Sequence, residues 1–382
     1  VSRTLTAVSS AMIRADAGPA HQRMALRDTI GAVMRFTRDS GVYSAQSDGH
    51  PNRYQLFLER AIALARTGGR LGLVLPTGLA TDRGSAPLRR LLLTTCDVDA
   101  IVGFDNRRAI FPIHRSVGFL LLTASAGSPT RSIACRMGLD DPAALESMED
   151  EPTAPGSYPV RLTPALLQLV AGDDLTIPLL RTSLDLTIVE RASTLFPPLG
   201  SERGWSARFG RELNATEDRS SFKPPKEGLP VVEGKLLEPF RVDLNSARHG
   251  ILMRDARRLL ADRRYERPRL AYRDVASSTN RLTLIAAVLP GGCVSTHTLF
   301  CLRAGPSSRD QQFLCGLFNS FVVNYLVRTR VTTHVTTGAV ERLPIPTRDR
   351  APGAYREIAA LARLLARRFD EAAYSRLQAR VA

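Results

Sequence analysis

From Tyr54 to Ser125 the apolar positions switch between two periods. Tyr54, Phe57, Leu58, Ala61, Ile62 and Ala65 recur at the spacing of one helical face. Gly68-Gly69 follow as a stop signal. Leu71 to Leu75 is then a short apolar run, the pattern of a strand buried on both faces, and Pro76 ends it. Pro87 stands near the start of a second helix whose Leu88, Leu91 and Leu92 face inward. Val98 to Phe104 and Val117 to Thr123 read as two further strands. Helix, strand, helix, strand, strand is the second half of a doubly wound α/β sheet.

The flanking segments carry weaker patterns. Ala20 to Thr37 predicts a helix with Met24, Ile30, Val33, Met34 and Phe36 spread over its turns. Asp48, Gly49, Pro51 and Asn52 are turn formers. From Ala126 to Gly156 the composition shifts to Ser, Gly, Pro and Asp, with RSIACRM as a last sheet strand. LTPALLQLV and LDLTIVERAST predict short helices, and Pro197-Pro198 marks a boundary. Beyond it, Leu282 to Pro290 reads as a buried strand, and FLCGLFNSFVVNYLVR, ending at Arg328, as one amphipathic helix. Ala354 to Ala382 is a helical tail with Ile358, Leu361, Leu365, Phe369 and Ala372 down one side. The organisation expected is an incomplete catalytic sheet in 1–126, connecting helices in 127–199, a mixed α/β domain in 200–350 and the tail in 351–382.

The chain's 382 residues suffice for two or three domains, and its net charge is +15. Lys223, Lys226 and Lys235 are the only lysines; every other cation is arginine. Two causes fit this excess: a footprint for nucleic acid, since arginine's planar fork suits phosphates and guanine edges, or the codon usage of a GC-rich genome. No apolar run approaches the roughly 18 to 20 residues of a membrane span, and no signal-peptide core opens the chain. The five cysteines are scattered without metal spacing, so neither a zinc site nor a disulfide framework is expected, and a cytoplasmic setting fits.

GGRLGLVLPTGLATD, FDNRRAIFPIHRS and VGFLLLT resemble the segment after the catalytic motif in adenine-N6 DNA methyltransferases, above all the large methylases of type IIG restriction-modification systems and their phage-defence relatives. WSARFGRELNATEDRSSF, LPVVEGKLLEPF, LAYRDVASSTNRLTLIAAVLP and FNSFVVNYLVR…LPIP resemble the target-recognition region of the same group, so the likeness runs from about Ser40 to Pro346. It implies a partial Rossmann-like methyltransferase sheet, a mixed α/β target-recognition domain and a C-terminal helix. It also implies double-stranded DNA as partner, S-adenosylmethionine as methyl donor and a place among bacterial nucleoid proteins.

The resemblance assigns Phe111 to stacking on an extruded adenine, from a loop where open α/β sheets hold ligands. His114 and Arg115 orient that loop or touch phosphate. Asn52 and Tyr54 either face the pocket or cap and pack the helix they open. Read from charge and local pattern, Lys235 in VVEGKLLEPF is a phosphate contact, with Gly234 allowing close approach. Arg208 and Arg211 beside Trp205 either line a nucleic-acid surface or surround a core tryptophan. Arg257 and Arg264, in the basic run from Arg254 to Arg273, either face the DNA backbone at helical spacing or balance Asp255, Asp262 and Glu266. Arg273-Asp274 is expected to form an ion pair or turn bond. His334, among Thr332, Thr333, Thr336 and Thr337, stands on a loop able to meet a groove.

Two elements of a self-contained adenine methyltransferase do not occur. Gly68-Gly69-Arg70-Leu71-Gly72 precedes a strand rather than following one, the wrong context for cofactor binding. Phe196-Pro197-Pro198 has a ring where Asn-Pro-Pro-aromatic needs a carboxamide. The expectation is therefore the C-terminal portion of a site-specific enzyme, with no catalytic residue of its own, no metal, and its cofactor held mainly by an N-terminal methyltransferase segment on the same or a separate chain. The alternative is a non-catalytic DNA-binding remnant or specificity subunit.

Overall fold

The computed structural model describes residues 19–46, 52–115, 117–146, 159–275, 281–331, 334–350 and 352–382. The turn formers Asp48, Gly49 and Pro51, most of the linker around 147–156, and Thr332 and Thr333 lie outside these residues. The chain divides into two units: one is residues up to Ala134 with Leu139–Pro142 and Asp173–Thr176, the other Cys135–Gly138, Ala143–Gly172 and Ile177–Ala382.

The first unit follows the predicted order: α1 (Pro19–Asp39), α2 (Arg53–Leu64), β1 (Arg70–Pro76), α3 (Ala86–Thr95), β2 (Cys96–Phe104) and β3 (Phe119–Ala126). β3 runs antiparallel between β1 and β2, so those two are parallel and joined by a crossover through α3. β1 forms an edge of the sheet. The expectation that it is buried on both faces fails: its residues are exposed or half-buried except Leu75, and Val74 is 54% exposed. Among the described residues it has a strand neighbour on one side only, which leaves the apolar run partly covered.

The apolar face of α2 is also rotated from the one read in the sequence. Leu58 is fully buried, but Phe57 and Leu64 are each 72% exposed, while Gln55 and Glu59 are buried. Both polar side chains can go inside because they are satisfied. Gln55 donates to Ser85 Oγ at 2.8 Å, and Glu59 accepts from Ser44, from the Ala45 amide and from Gln46 at 3.3, 2.9 and 3.0 Å. α3 buries Leu88, Leu92 and Leu93, and with them Arg89.

RSIACRM forms β4 (Ile133–Leu139), a strand as expected but not the last one, since Val160–Leu162 lies beyond it in the same sheet. The second unit continues with β5 (Val160–Leu162), α4 (Pro164–Ala171), α5 (Ser183–Leu195), β6 (Arg208–Gly210), β7 (Phe222–Lys223), β8 (Leu229–Val232), β9 (Leu237–Glu238), β10 (Arg241–Val242), β11 (Gly250–Ile251) and α6 (Met253–Leu259). β12 (Arg269–Arg273), β13 (Ala286–Leu289), β14 (Val294–Ser295), β15 (Leu299–Ala304), α7 (Ser308–Phe318), α8 (Phe321–Arg328), α9 (Thr337–Glu341), α10 (Pro352–Arg367) and α11 (Glu371–Val381) complete it. One four-stranded sheet has the order β13-β12-β15-β6, another β14-β8-β11-β7, and β9 and β10 pair as a short antiparallel ladder. Glu212 and Arg269, both nearly inaccessible, meet at 2.6 Å, and Glu212 also accepts from the amide and hydroxyl of Ser295. That network ties β12 of the first sheet to β14 of the second.

Three helical expectations are corrected here. The helix ending at Arg328 is two, because Asn319 leaves it to bond a strand: its carboxamide accepts from the Ala286 amide at 3.1 Å and donates to the Ala286 carbonyl at 2.8 Å. Ser320 then caps α8 by accepting from the Val323 amide. The basic run loses its helix at Leu260, and Arg263 takes a left-handed φ of 49°. The single C-terminal helix is also two, since Asp370 caps α11 by accepting from the Ala373 amide at 2.7 Å. The restart buries Ala373, Tyr374 and Leu377 and leaves Ala372 exposed and Phe369 42% exposed.

Candidate functional site

The carboxyl ends of β1 and β2 converge on one residue of β3: Pro76 and Phe104 both pair with Phe119. Phe104 stacks on Phe119 with centroids 5.1 Å apart, and Phe111 meets Phe119 edge-on at 4.7 Å. The loop after β2 thus returns its aromatic ring to the end of the sheet, the place where open α/β folds hold ligands. Phe111 remains 38% exposed, and Ile113 beside it 46%.

A buried carboxamide holds that loop. Asn106 is wholly inaccessible; its Oδ1 accepts from the Phe111 amide at 2.9 Å, and its Nδ2 donates to the Phe111 and Ile113 carbonyls at 3.1 and 3.4 Å. Sequence reasoning missed it. The available signal was its position just past a strand, where a donor-and-acceptor side chain can satisfy a turning backbone. The arginines between Asn106 and Phe111 are neutralised: Arg107 pairs with Asp105 at 2.6 Å, and Arg108 with Asp140 and Asp141 at 3.3 and 3.2 Å. His114 and Arg115 are exposed on the same loop.

The loop after β1 lies at this end of the sheet too, since the Thr77 amide donates to the Gly118 carbonyl at 3.1 Å. Tyr54 reaches it: its hydroxyl bonds Ser85 Oγ at 3.1 Å and would lie 3.0 Å from a Cβ at Gly78. Burial raises the pKa of both Tyr54 and Asp82. Arg89 closes this turn from below, donating to the Leu79, Asp82 and Asp174 carbonyls at 2.8, 2.9 and 2.9 Å. Burial brings its pKa down to about 10. Asn52 stands exposed at the start of α2, its amide donating to Gln55 Oε1 at 2.8 Å. These contacts give Tyr54 and Asn52 packing and terminal positions.

In the second unit two predicted DNA-facing residues come together on Asp274, which is 5% exposed at the end of β12. Arg211 Nη2 meets its Oδ2 at 2.9 Å and His334 Nδ1 its Oδ1 at 3.2 Å. Arg211 also lies 4.9 Å over the Phe300 ring. The Asp274 amide donates to the Thr298 carbonyl and its carbonyl accepts from the Val335 amide, so beside its ion pairs this acid joins two further segments. Three of the other predicted cations are engaged elsewhere. Lys235 pairs with Glu233 at 2.5 Å and Arg264 with Asp262 at 3.3 Å. Arg208 donates to the Gly200 and Ala207 carbonyls. Arg257 is exposed on α6 and has no ionic partner among the described residues. Trp205 is core, stacked on Tyr355 and donating to the Pro346 carbonyl.

The Gly68-Gly69 turn does not fit a methyl-donor cradle. The paired glycines stand at the amino end of β1, with Gly68 at φ 76°, whereas ligands gather at the carboxyl ends. Among the described residues there is no cluster of His, Cys, Asp and Glu able to hold a metal ion, and no helix long and apolar enough to cross a membrane.

Residues 28–111 match the family model described as Eco57I restriction-modification methylase, a stretch that ends on Phe111. The match makes that segment similar to a restriction-modification methylase and leaves the rest of the chain unmatched. No curated protein matches the chain. Among solved structures, the type IIG restriction endonuclease BpuSI is 11% identical over 92% of this chain and 48% of that one, with a TM-score of 0.35. The type IIL restriction-modification enzyme MmeI, solved in complex with DNA, is 10% identical over 86% and 48%, TM-score 0.49. The DrdV–DNA complex is 11% identical over 87% and 41%, TM-score 0.46. The chain spans less than half the length of each of these three.

Proposed function

We propose that this chain is the base-holding and DNA-gripping part of a site-specific DNA methyltransferase that uses S-adenosylmethionine to methylate the N6 amino group of adenine. The observation that carries the reading is Phe111: a half-exposed ring fixed edge-on to Phe119, on a loop tied down by Asn106, inside the segment matched to the methylase family. An enzyme acting on a base must rotate it out of the duplex and hold it, and an aromatic face does so without demanding a particular base. A ring already braced on one edge gives up little freedom when a base stacks on its open face. The net charge of +15 supports a polyanionic partner. Residues 200–350 serve as the region that reads DNA, with Arg211 and His334 presented together on Asp274.

The methyl donor and the hydrogen-bond acceptors for the amino group belong, in this reading, to an N-terminal methyltransferase segment carrying Asn-Pro-Pro-aromatic, on the same or a separate chain. The edge of β1 that no described strand pairs supports this, as do the exposed apolar side chains of the first unit, Val74, Phe57, Leu64, Val33 and Phe36. Exposed edges and large apolar patches are features that proteins cover. The test is to express this chain with and without the segment encoded upstream and to analyse host DNA by mass spectrometry. N6-methyladenine should require both; methylated cytosine, or no modified base with both present, would refute the proposal.

A further inference from the structure

Two arginines of the second unit present the same edge of the guanidinium to their surroundings, with opposite results. In Arg269, Nε and Nη2 form the two-pronged fork that meets Glu212 Oε1 and Oε2 at 2.6 and 2.7 Å. In Arg330, just beyond α8, Nη1 donates to the Arg342 carbonyl at 2.9 Å, but Nε and Nη2 are buried and meet no acceptor among the described residues. The residue as a whole keeps partial exposure. Its surroundings add positive charge: burial first, and the Arg342 guanidinium second, bring the Arg330 pKa down to about 10. Gly172, at φ 56°, leaves the room that Arg342 occupies, since a Cβ there would collide with Nη1 of that side chain. A buried cation with vacant donors and a second cation nearby is the environment an anion completes, because it supplies both the missing acceptors and the opposite charge.

We propose that Arg330, backed by Arg342, is a socket for one phosphate group, two of whose oxygens take the Nε and Nη2 fork. The fork selects a planar pair of oxygens; a monatomic anion such as chloride fills one prong only. The phosphate comes either from the sugar-phosphate backbone of a duplex or from free inorganic phosphate, and the first source rests on the DNA-binding reading above.

The experiment is thermal unfolding of the full chain, titrated with inorganic phosphate at ionic strength held constant with chloride. The wild type should be stabilised saturably, Arg330→Met should lose the response, and Arg330→Lys, which keeps the charge without the fork, should need at least tenfold more phosphate. Should Arg330→Met fail to fold, Arg330→Lys and Arg342→Gln are read in the same titration. A wild-type chain indifferent to phosphate, or variants that respond as it does, would overturn the socket. In parallel, affinity for a short duplex is measured against salt. If a backbone phosphate is the ligand, free phosphate competes and Arg330→Met flattens the log–log slope by roughly 0.9. An unchanged slope alongside a lost phosphate response assigns the socket to free phosphate. A wild type that binds no duplex refutes the DNA reading, and the phosphate titration still decides the socket.

Discussion

The first unit buries Arg89 and the second the Nε and Nη2 of Arg330, and both guanidinia have their pKa lowered to about 10 by burial. Their partners differ. Arg89 spends its donors on three backbone carbonyls and so fastens the turn after β1. Arg330 leaves its fork vacant. The contrast separates cations that belong to the framework from cations that await a ligand, and it sorts the other candidates as well. Lys235, Arg211 and Arg264 already hold carboxylates, so any contact with DNA competes with an existing ion pair. Phe111 resembles Arg330 in this respect: it is braced on Phe119 and keeps 38% of its surface exposed.

The comparison breaks most visibly at Arg89. Arg89→Met strands the buried Leu79 carbonyl and removes a donor from the partly buried Asp82 and Asp174 carbonyls, an unsatisfied buried group costing about 1–3 kcal/mol. Urea unfolding should show a clear loss of stability, whereas Arg330→Met in phosphate-free buffer should hold or raise its midpoint. A similar loss in both variants would erase the distinction. Asn106→Ala removes the support of the Phe111 loop and should cost about 2 kcal/mol. Faster amide hydrogen exchange should follow at Phe111 and Ile113, with protection unchanged in β1. Asp274→Ala frees Arg211 and His334 at once. Because both are half exposed, solvent screening limits the stability loss to about 1 kcal/mol, while retention of any duplex should tighten as a negative charge leaves that surface. Lys235→Ala is the mildest change: stability should move by less than about 0.5 kcal/mol, and the salt slope of duplex binding by at most roughly 0.9.

What could be read in the sequence was what depends on neighbours along the chain. The strands of the first unit, α2 and α3 announced themselves through apolar period and through Gly68, Pro76 and Pro87. So did the placing of Phe111 on a loop at the end of a strand. What stayed hidden depends on partners far along the chain. Asn319 breaks a helix because Ala286 needs its carboxamide, and Arg269 can be buried only because Glu212 is there to receive it. The outward turn of Phe57 follows from Glu59, whose acceptors are taken up by residues 44–46. Periodicity assigns a face by hydrophobicity alone, and it cannot see a polar side chain made comfortable by a distant loop. The vacancy at Arg330 was invisible for the same reason: in sequence it is one arginine among many.

The account's central claim is that Phe111 holds the base, and one variant tests it most directly. Phe111→Ala is to be compared with wild type in the assembled enzyme at saturating duplex, measuring methyl transfer and duplex retention on the same samples. Loss of a base–aromatic stack is worth about 1–3 kcal/mol, so transfer should fall roughly 5- to 150-fold while retention stays close to wild type. Transfer at the wild-type rate, or transfer and retention falling together, would contradict the claim.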